Sequence, residues 1–361
     1  MVIFSNKLFI VSILSMFSFF GSLFAQETNK KFKKPERVIK RLIRKKQIPG
    51  LAITVVKNGE IEWSQGYGYA NIKKKIEVKP DATIFRIGSV SKPISAVGLY
   101  HMVKDSLIDL ETSVHNYLPY FPKKQYDFSI KQAGTHQSGI RNYKGNEFKN
   151  NKPLSIREGV ALFENDSLLF EPGTQHAYTS YNWNLISLVM QEVSGVPFEA
   201  FIQEKVLDTF KMTNTFADTQ QEIENKAIFY RKAGKKRFKP VGKVHNFFKL
   251  AGGGYLSTSE DVAKFGQALL DGTDIDQEQF KPFITSESIG ERLTYYGIGF
   301  QVSFDHTGRP YFGHVGNGLG GYGIFYVYPE DEVVLSILMN CSNPEQDESF
   351  KEIIEGIFNA F

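Results

Sequence analysis

Two apolar, β-branched runs stand towards opposite ends of the chain and restrict its fold more than anything between them. Leu51-Ala52-Ile53-Thr54-Val55-Val56 leads into Lys57-Asn58-Gly59 and a return segment, Ile61 to Tyr69, that carries Trp63. Asn-Gly between two such runs is the strongest short-range hairpin signal, because its turn needs positive φ at both central residues. Towards the other end, strands are predicted over Tyr296 to Phe304, Gly321 to Tyr328 and Glu332 to Asn340, with a closing helix over Gln346 to Phe358. From about Ser89 to Val206 the apolar spacing becomes helical. Val90, Ile94 and Val97 share a face there, and further helices are predicted over Ile156 to Phe163, Trp183 to Val193 and Phe198 to Leu207. Ser259-Glu260-Asp261 caps one more, Val262 to Leu270. This order predicts an α/β (α+β) chain: an antiparallel sheet lobe built from both termini with flanking helices, plus an inserted all-helical lobe. The boundaries read as residues 1–25 for a leader, 26–47 for a basic linker and helix, 48–88 with 245–361 for the sheet lobe, and 89–244 for the helical lobe and substrate-side loops. A ligand is expected in a cleft between the lobes.

The leader has the makings of an export signal. Lys7 precedes an apolar stretch from Leu8 to Phe20, and Ala25 offers a small residue at which to cleave. A periplasmic or extracellular location is therefore expected, with an uncleaved anchor as the alternative, since Leu8 to Ala25 almost reaches spanning length. Without Lys7 the chain keeps 42 of its 43 basic residues against 39 acidic ones, a net +3 that predicts no nucleic-acid partner. Val38, Leu42 and Ile43 recur at helical spacing within the basic stretch Lys30 to Lys46, which reads as a solvated amphipathic helix or as a peripheral contact for membrane or cell-wall anions. The single cysteine, Cys341, excludes an intramolecular disulfide and any Cys-rich zinc site, and its apolar run marks it as a packed thiol.

For chemistry, elimination goes far. The seven histidines form neither HxH nor HExxH, so no metal is expected, and no cofactor either. Gly316-Asn317-Gly318-Leu319-Gly320-Gly321 satisfies GxGxxG but runs into a strand instead of opening a helix, and no serine lies in GxSxG. Ser89-Val90-Ser91-Lys92 remains, the one place where lysine follows serine by three. Residues so spaced share a helix face, so Lys92 can reach the Ser89 hydroxyl and, if desolvated, take its proton. The same pattern also suits an N-cap serine followed by an exposed lysine. Tyr178 and Ser180 follow the Pro172-Gly173 turn, and His314 stands among glycines in Gly313-His314-Val315-Gly316-Asn317-Gly318. Singly, Tyr178 reads as a packed aromatic and His314 as a satisfied strand-end histidine.

Together and in this order, the three segments resemble the serine β-lactamase and penicillin-binding-protein superfamily, whose pattern is SxxK, then YxN or a variant, then KTG or HxG on a strand. The resemblance extends through Phe85-Arg86-Ile87-Gly88, His136-Gln137-Ser138-Gly139-Ile140-Arg141-Asn142-Tyr143 and Ala251-Gly252-Gly253-Gly254-Tyr255-Leu256-Ser257-Thr258. It is most similar to the class C-like branch, with the serine β-lactamase-like proteins of animal mitochondria and their bacterial relatives. It implies Ser89 as the acylated nucleophile, Lys92 as its proton partner and Tyr178 as general acid or base. It further implies an oxyanion hole from the backbone N–H groups of Ser89 and Asn317, and Ser180, His314 and Gly316 at the substrate. Serine replaces the usual asparagine at 180 and histidine the lysine at 314, departures that weaken binding of a substrate carboxylate but leave acyl transfer intact. The expected activity is a secreted serine hydrolase acting on a small-molecule or peptide ester, amide or β-lactam. The alternative is a binding or scaffolding protein that keeps the fold without turnover, and oligomerisation is compatible with either.

Overall fold

The computed structural model describes residues 31–219 and 221–361, so the expected leader, residues 1–25, lies outside the described residues. These divide into two compact units. The smaller holds residues 31–45 and 345–361, with helix α1 (Lys33–Arg44) packed on the C-terminal helix, here α5 (Asp347–Phe358). In α1 the buried side chains are Pro35, Val38, Ile39 and Leu42, a stripe at helical spacing with the basic residues on the other faces. Ile43, expected on that stripe, is only half-buried. Arg41 Nη2 meets Glu352 Oε2 at 2.7 Å across the helix pair.

The larger unit, Lys46–Pro344, is organised by a seven-stranded sheet. Its strands are β1 (Gly50–Lys57), β2 (Glu60–Asn71), β3 (Ile76–Glu77), β4 (Gln301–Phe304), β5 (Pro310–Gly318), β6 (Gly321–Tyr328) and β7 (Val333–Met339). They are ordered β4-β5-β6-β7-β1-β2-β3, and every neighbouring pair is antiparallel. The two apolar runs of the sequence pair with each other, from Leu51 opposite Met339 to Lys57 opposite Val333. Asn58 and Gly59 both take positive φ (52° and 81°), as the two-residue hairpin requires. Strands β1 and β7 are buried almost throughout, which explains why they read as continuous apolar runs without polar alternation.

Three further helices of this unit matter here: α2 (Ser91–Lys104), α3 (Ser180–Ser194) and α4 (Ser259–Asp271). Helix α4 packs on β1, β6 and β7, while α2 and α3 are buried on most faces, so their helical periodicity is weak and their apolar content high. A small second sheet pairs Phe85–Arg86 with Tyr255–Ser257, and the latter with Phe216–Ala217. It brings the start of α2 beside the glycine-rich segment 250–254.

Three expected elements differ. The cap of α4 is Thr258, whose Oγ1 accepts from Asp261 N–H, so the helix starts earlier than Val262. Within the strand expected over Tyr296 to Phe304 only Gln301–Phe304 is extended, because Gly299 turns the chain at φ 82° and Gly297 N–H bonds back to Phe300. The helix expected over Phe198 to Leu207 is α-helical only to Ile202 and widens to a π-type turn over Gln203–Asp208. Among the described residues no single helix is long and apolar enough to cross a membrane. Cys341 is buried, and burial pushes its thiol up to about 12.

Candidate active site

Ser89 lies in a 3₁₀ turn, Gly88–Val90, that runs directly into α2. The turn is pinned from inside: Ser91 Oγ donates to Gly88 O at 2.7 Å and accepts from Tyr255 N–H at 3.1 Å. Ser95 Oγ reaches Ala251 O at 3.2 Å, fastening segment 250–254 to the same helix. Each such bond contributes about 1 kcal/mol net, and each would leave a buried polar group unmatched if lost.

The spacing of serine and lysine now has its geometric result. Lys92 Nζ stands 3.1 Å from Ser89 Oγ, 3.1 Å from Ser180 Oγ and 2.5 Å from Gly252 O. Lys92 is wholly buried, and desolvation pulls its amine well below the usual lysine range. No opposing carboxylate counters that shift. A neutral amine has two hydrogens and one lone pair, so it can donate to the Gly252 carbonyl and the Ser180 hydroxyl while accepting from Ser89. The bland reading, an exposed lysine after a cap, is excluded by this burial.

Tyr178 O–H donates to Ser89 Oγ at 2.7 Å, and its ring centroid lies 4.8 Å from Lys92 Nζ. One edge of the residue is exposed, but the protein around its hydroxyl pushes the phenol above its usual range. Alcohol, amine and phenol thus converge, the amine biased towards its free base and the phenol towards its protonated form.

Tyr178 is held by residues far from it in the chain. His136, at a positive φ of 61°, places its ring 4.4 Å from the Tyr178 ring. Its Nδ1 accepts from Thr179 N–H at 3.4 Å and faces Asn182 Nδ2 at 3.2 Å. Thr179 caps α3 and donates through Oγ1 to Arg141 O at 2.9 Å. Arg141 is in turn clamped by Glu147 (2.8 Å) and Asp166 (2.6 Å). His136 and Arg141, both in the segment His136 to Tyr143, thus brace the tyrosine.

The oxyanion expectation concerns backbone. At Gly316 a Cβ would stand 1.9 Å from Ile87 O and 3.1 Å from Ser89 N, and at Gly88 one would stand 2.8 Å from Asn317 N. Only glycine lets strand β5 lie this close to the serine turn, and the closeness sets the amides of Ser89 and Asn317 together. Gly316 therefore acts as a spacer behind the site, and Asn317 and Gly318 line the cleft itself.

His314 is placed differently from its expected position at the substrate. It is 1% exposed, with Nδ1 2.7 Å from Val315 O and Nε2 2.9 Å from the Tyr296 hydroxyl. A carbonyl only accepts, so Nδ1 carries the hydrogen and Nε2 accepts from Tyr296. Burial pulls the ring down to about 3, so it is a neutral, fully engaged imidazole. Ser180 lines the cleft, but its hydroxyl is shared with Lys92 and faces the phenols of Tyr178 and Tyr143. Tyr143, which ends the segment His136 to Tyr143, also lines the cleft, as do Phe148 and Lys249, which carried no sequence signal. Among the described residues no cluster of His, Cys, Asp or Glu is arranged to hold a metal ion.

Comparison with known proteins shows what the chain as a whole is similar to. The Beta-lactamase family model matches residues 35–355. The chain is 30% identical over 294 residues to the human mitochondrial serine beta-lactamase-like protein LACTB, a match covering 62% of this chain and 54% of LACTB. It therefore spans about half the length of that relative. In three dimensions it is similar to the octameric penicillin-binding protein homologue from Pyrococcus abyssi, with TM-score 0.79, 22% identity and coverage of 91% and 77% of the two chains. It is also similar to the D-amino acid amidase from Ochrobactrum anthropi SV3 in complex with L-phenylalanine, with TM-score 0.78, 20% identity and coverage of 91% and 99%.

Proposed function

Because the chain belongs to the β-lactamase family of serine hydrolases, we propose that it hydrolyses an ester, a peptide or amide, or a β-lactam through an acyl-enzyme on Ser89. The observation that carries this reading is the bifurcated contact at Ser89 Oγ, with Lys92 Nζ at 3.1 Å and Tyr178 O–H at 2.7 Å. The neutral Lys92 amine takes the hydroxyl proton as Oγ attacks the substrate carbonyl. The new C–O bond leaves an oxyanion, which the amides of Ser89 and Asn317 stabilise together with the positive end of the serine turn. As the tetrahedral adduct collapses, Tyr178 gives its proton to the departing nitrogen or oxygen and is reprotonated from Lys92. Water then attacks the acyl ester with the same two groups in reversed roles. Burial of both groups supports this division of labour, which spacing alone left open.

Amidase or esterase action fits better than efficient β-lactam hydrolysis, since His314 supplies no cation and Ser180 lacks the amide of an asparagine. The amidase among its structural neighbours is consistent with that preference. Export through residues 1–25 is part of the proposal and rests on the leader's sequence pattern.

The test is intact mass spectrometry after incubation with a fluorophosphonate, p-nitrophenyl esters, penicillins and D-Ala-D-Ala peptides. One covalent adduct, absent in Ser89→Ala, is expected. Folded wild-type protein that takes up no reagent and turns over no ester would leave the scaffolding reading in its place.

A further inference from the structure

Lys249 enters the cleft from the segment that precedes Gly252 and lines the same space as Ser89 and Asn317. It is only 5% exposed, yet no carboxylate lies within ion-pair distance of it among the described residues. An ammonium has three donors. One partner is the Phe148 carbonyl at 2.6 Å. The remaining surroundings are aromatic, with the rings of Phe148, Phe248 and Tyr143 centred 4.6, 5.5 and 5.7 Å away. Ring faces compensate a buried cation only in part.

The buried carboxylate of Asp218 is already engaged by other donors. It accepts from Arg86 Nε at 2.7 Å, Lys226 Nζ at 2.8 Å and Asn246 Nδ2 at 2.7 Å. Asp218 is thus taken by Arg86 and Lys226, and Lys249, in the cleft wall, is left without a carboxylate of its own among the described residues. A buried charge without a partner costs several kcal/mol, a cost that a fold retains where a ligand supplies the missing partner. His314, where the resemblance places a cationic residue, is neutral and engaged, so it does not supply that charge.

We propose that Lys249 binds a carboxylate carried by the substrate, making the cleft selective for acyl compounds with an anionic group. The inference rests on the acyl-transfer reading of the same site and adds the substrate class. A carboxylate entering the cleft accepts the unused ammonium hydrogens in charge-assisted bonds, while the aromatic rings around it exclude water and strengthen the pair. With its pKa pulled by burial to about 8, Lys249 is still mostly protonated at neutral pH.

The test compares matched esters: p-nitrophenyl hexanoate against the mono-p-nitrophenyl esters of glutaric, adipic and pimelic acids, which differ in the reach of their carboxylate. For the wild type, kcat/KM is expected to favour at least one acid-tailed ester by about tenfold or more, equivalent to about 1.4 kcal/mol. In Lys249→Met the ratio is expected to fall to about one, and in Lys249→Arg to recover in part. Both esters are measured on the same preparation, so the ratio does not depend on the active fraction. A wild-type ratio near one for every tail, or a ratio unmoved by Lys249→Met, would overturn the inference.

A second measurement separates this outcome from failure of the acyl-transfer reading. Calorimetric titration of Ser89→Ala with adipic acid monoamide is expected to show binding that disappears in Ser89→Ala/Lys249→Met, with hexanamide binding neither. If the wild type hydrolyses no ester but this Lys249-dependent binding is seen, the anion site stands and the hydrolase reading falls. If the monoamide does not bind, or binds regardless of Lys249, the anion site falls.

Discussion

Two buried lysines stand beside the cleft that Ser89 lines, one bonded to Ser89 and one in the cleft wall, and the proposed function gives them opposite work. Lys92 is ringed by a carbonyl and two hydroxyls, one of them that of Ser89. Lys249 meets one carbonyl and three aromatic rings, with no hydroxyl bonded to it. Burial depresses both, Lys92 well below the usual range and Lys249 only to about 8. Under the proposed function the amine that is easily deprotonated stands where a proton would be taken, and the amine that keeps its charge stands in the wall of the substrate cleft. Residue type therefore says little about a buried lysine; the polarity of its neighbours and the distance to a titratable partner decide between base and charge.

The largest effect that would break this contrast is kinetic. Lys92→Met is expected to slow acylation of Ser89 by p-nitrophenyl butyrate by roughly 10³-fold, measured in the stopped-flow burst. An equal loss in Lys249→Met would make both lysines part of the proton transfer. Only neutral Lys92 accepts the proton, so kcat/KM of the wild type should fall as pH drops through its depressed pKa. That acid limb should be missing from the residual activity of Lys92→Met.

Stability offers the next test. The folded state prefers neutral Lys249, so the penalty for its charge is fully present below about pH 8 and relaxes as pH rises towards the ordinary lysine value of 10.5. Urea unfolding should show stability rising by about 3 kcal/mol across that window, at roughly 1.4 kcal/mol per pH unit. Lys249→Met should flatten the rise, and an unchanged slope would assign it to other groups.

Tyr178→Phe is expected to cost roughly 10²-fold on an anilide but much less on a p-nitrophenyl ester, whose leaving group departs without a proton. Equal losses on both would give Tyr178 a role in attack instead of departure. The smallest change is expected for Tyr296→Phe, which leaves His314 Nε2 without its donor and should destabilise the fold by about 1–2 kcal/mol in urea. If the preference for acid-tailed esters vanished with it, His314 and not Lys249 would be holding the anion.

Local rules carried part of this far. Ser89 and Lys92 meet because three residues along a helical turn share a face, and Asn58-Gly59 makes a hairpin because its φ angles demand it; both are decided within a few residues. The long apolar runs likewise announced central strands, since a strand covered on both faces has no polar side to show. Where the expectation slipped, at the cap of α4 and the start of β4, a neighbouring hydroxyl and a turning glycine outvoted periodicity by a residue or a few.

What lay beyond such rules depends on which distant segments are pressed together. Nothing near Lys249 in the chain announces that Tyr143 and Phe148 will close around it, nor that Asp218 will be taken by Arg86 and Lys226. His314 has an ordinary strand context, and only the fold brings the Tyr296 hydroxyl, eighteen residues away, to its Nε2. Residue identities and short spacings thus specified the contact of Ser89 with Lys92 and the sheet's central strands. Protonation state, engagement and selectivity were left to packing, because desolvation and hydrogen bonding are properties of a place in space and not of a position in the chain.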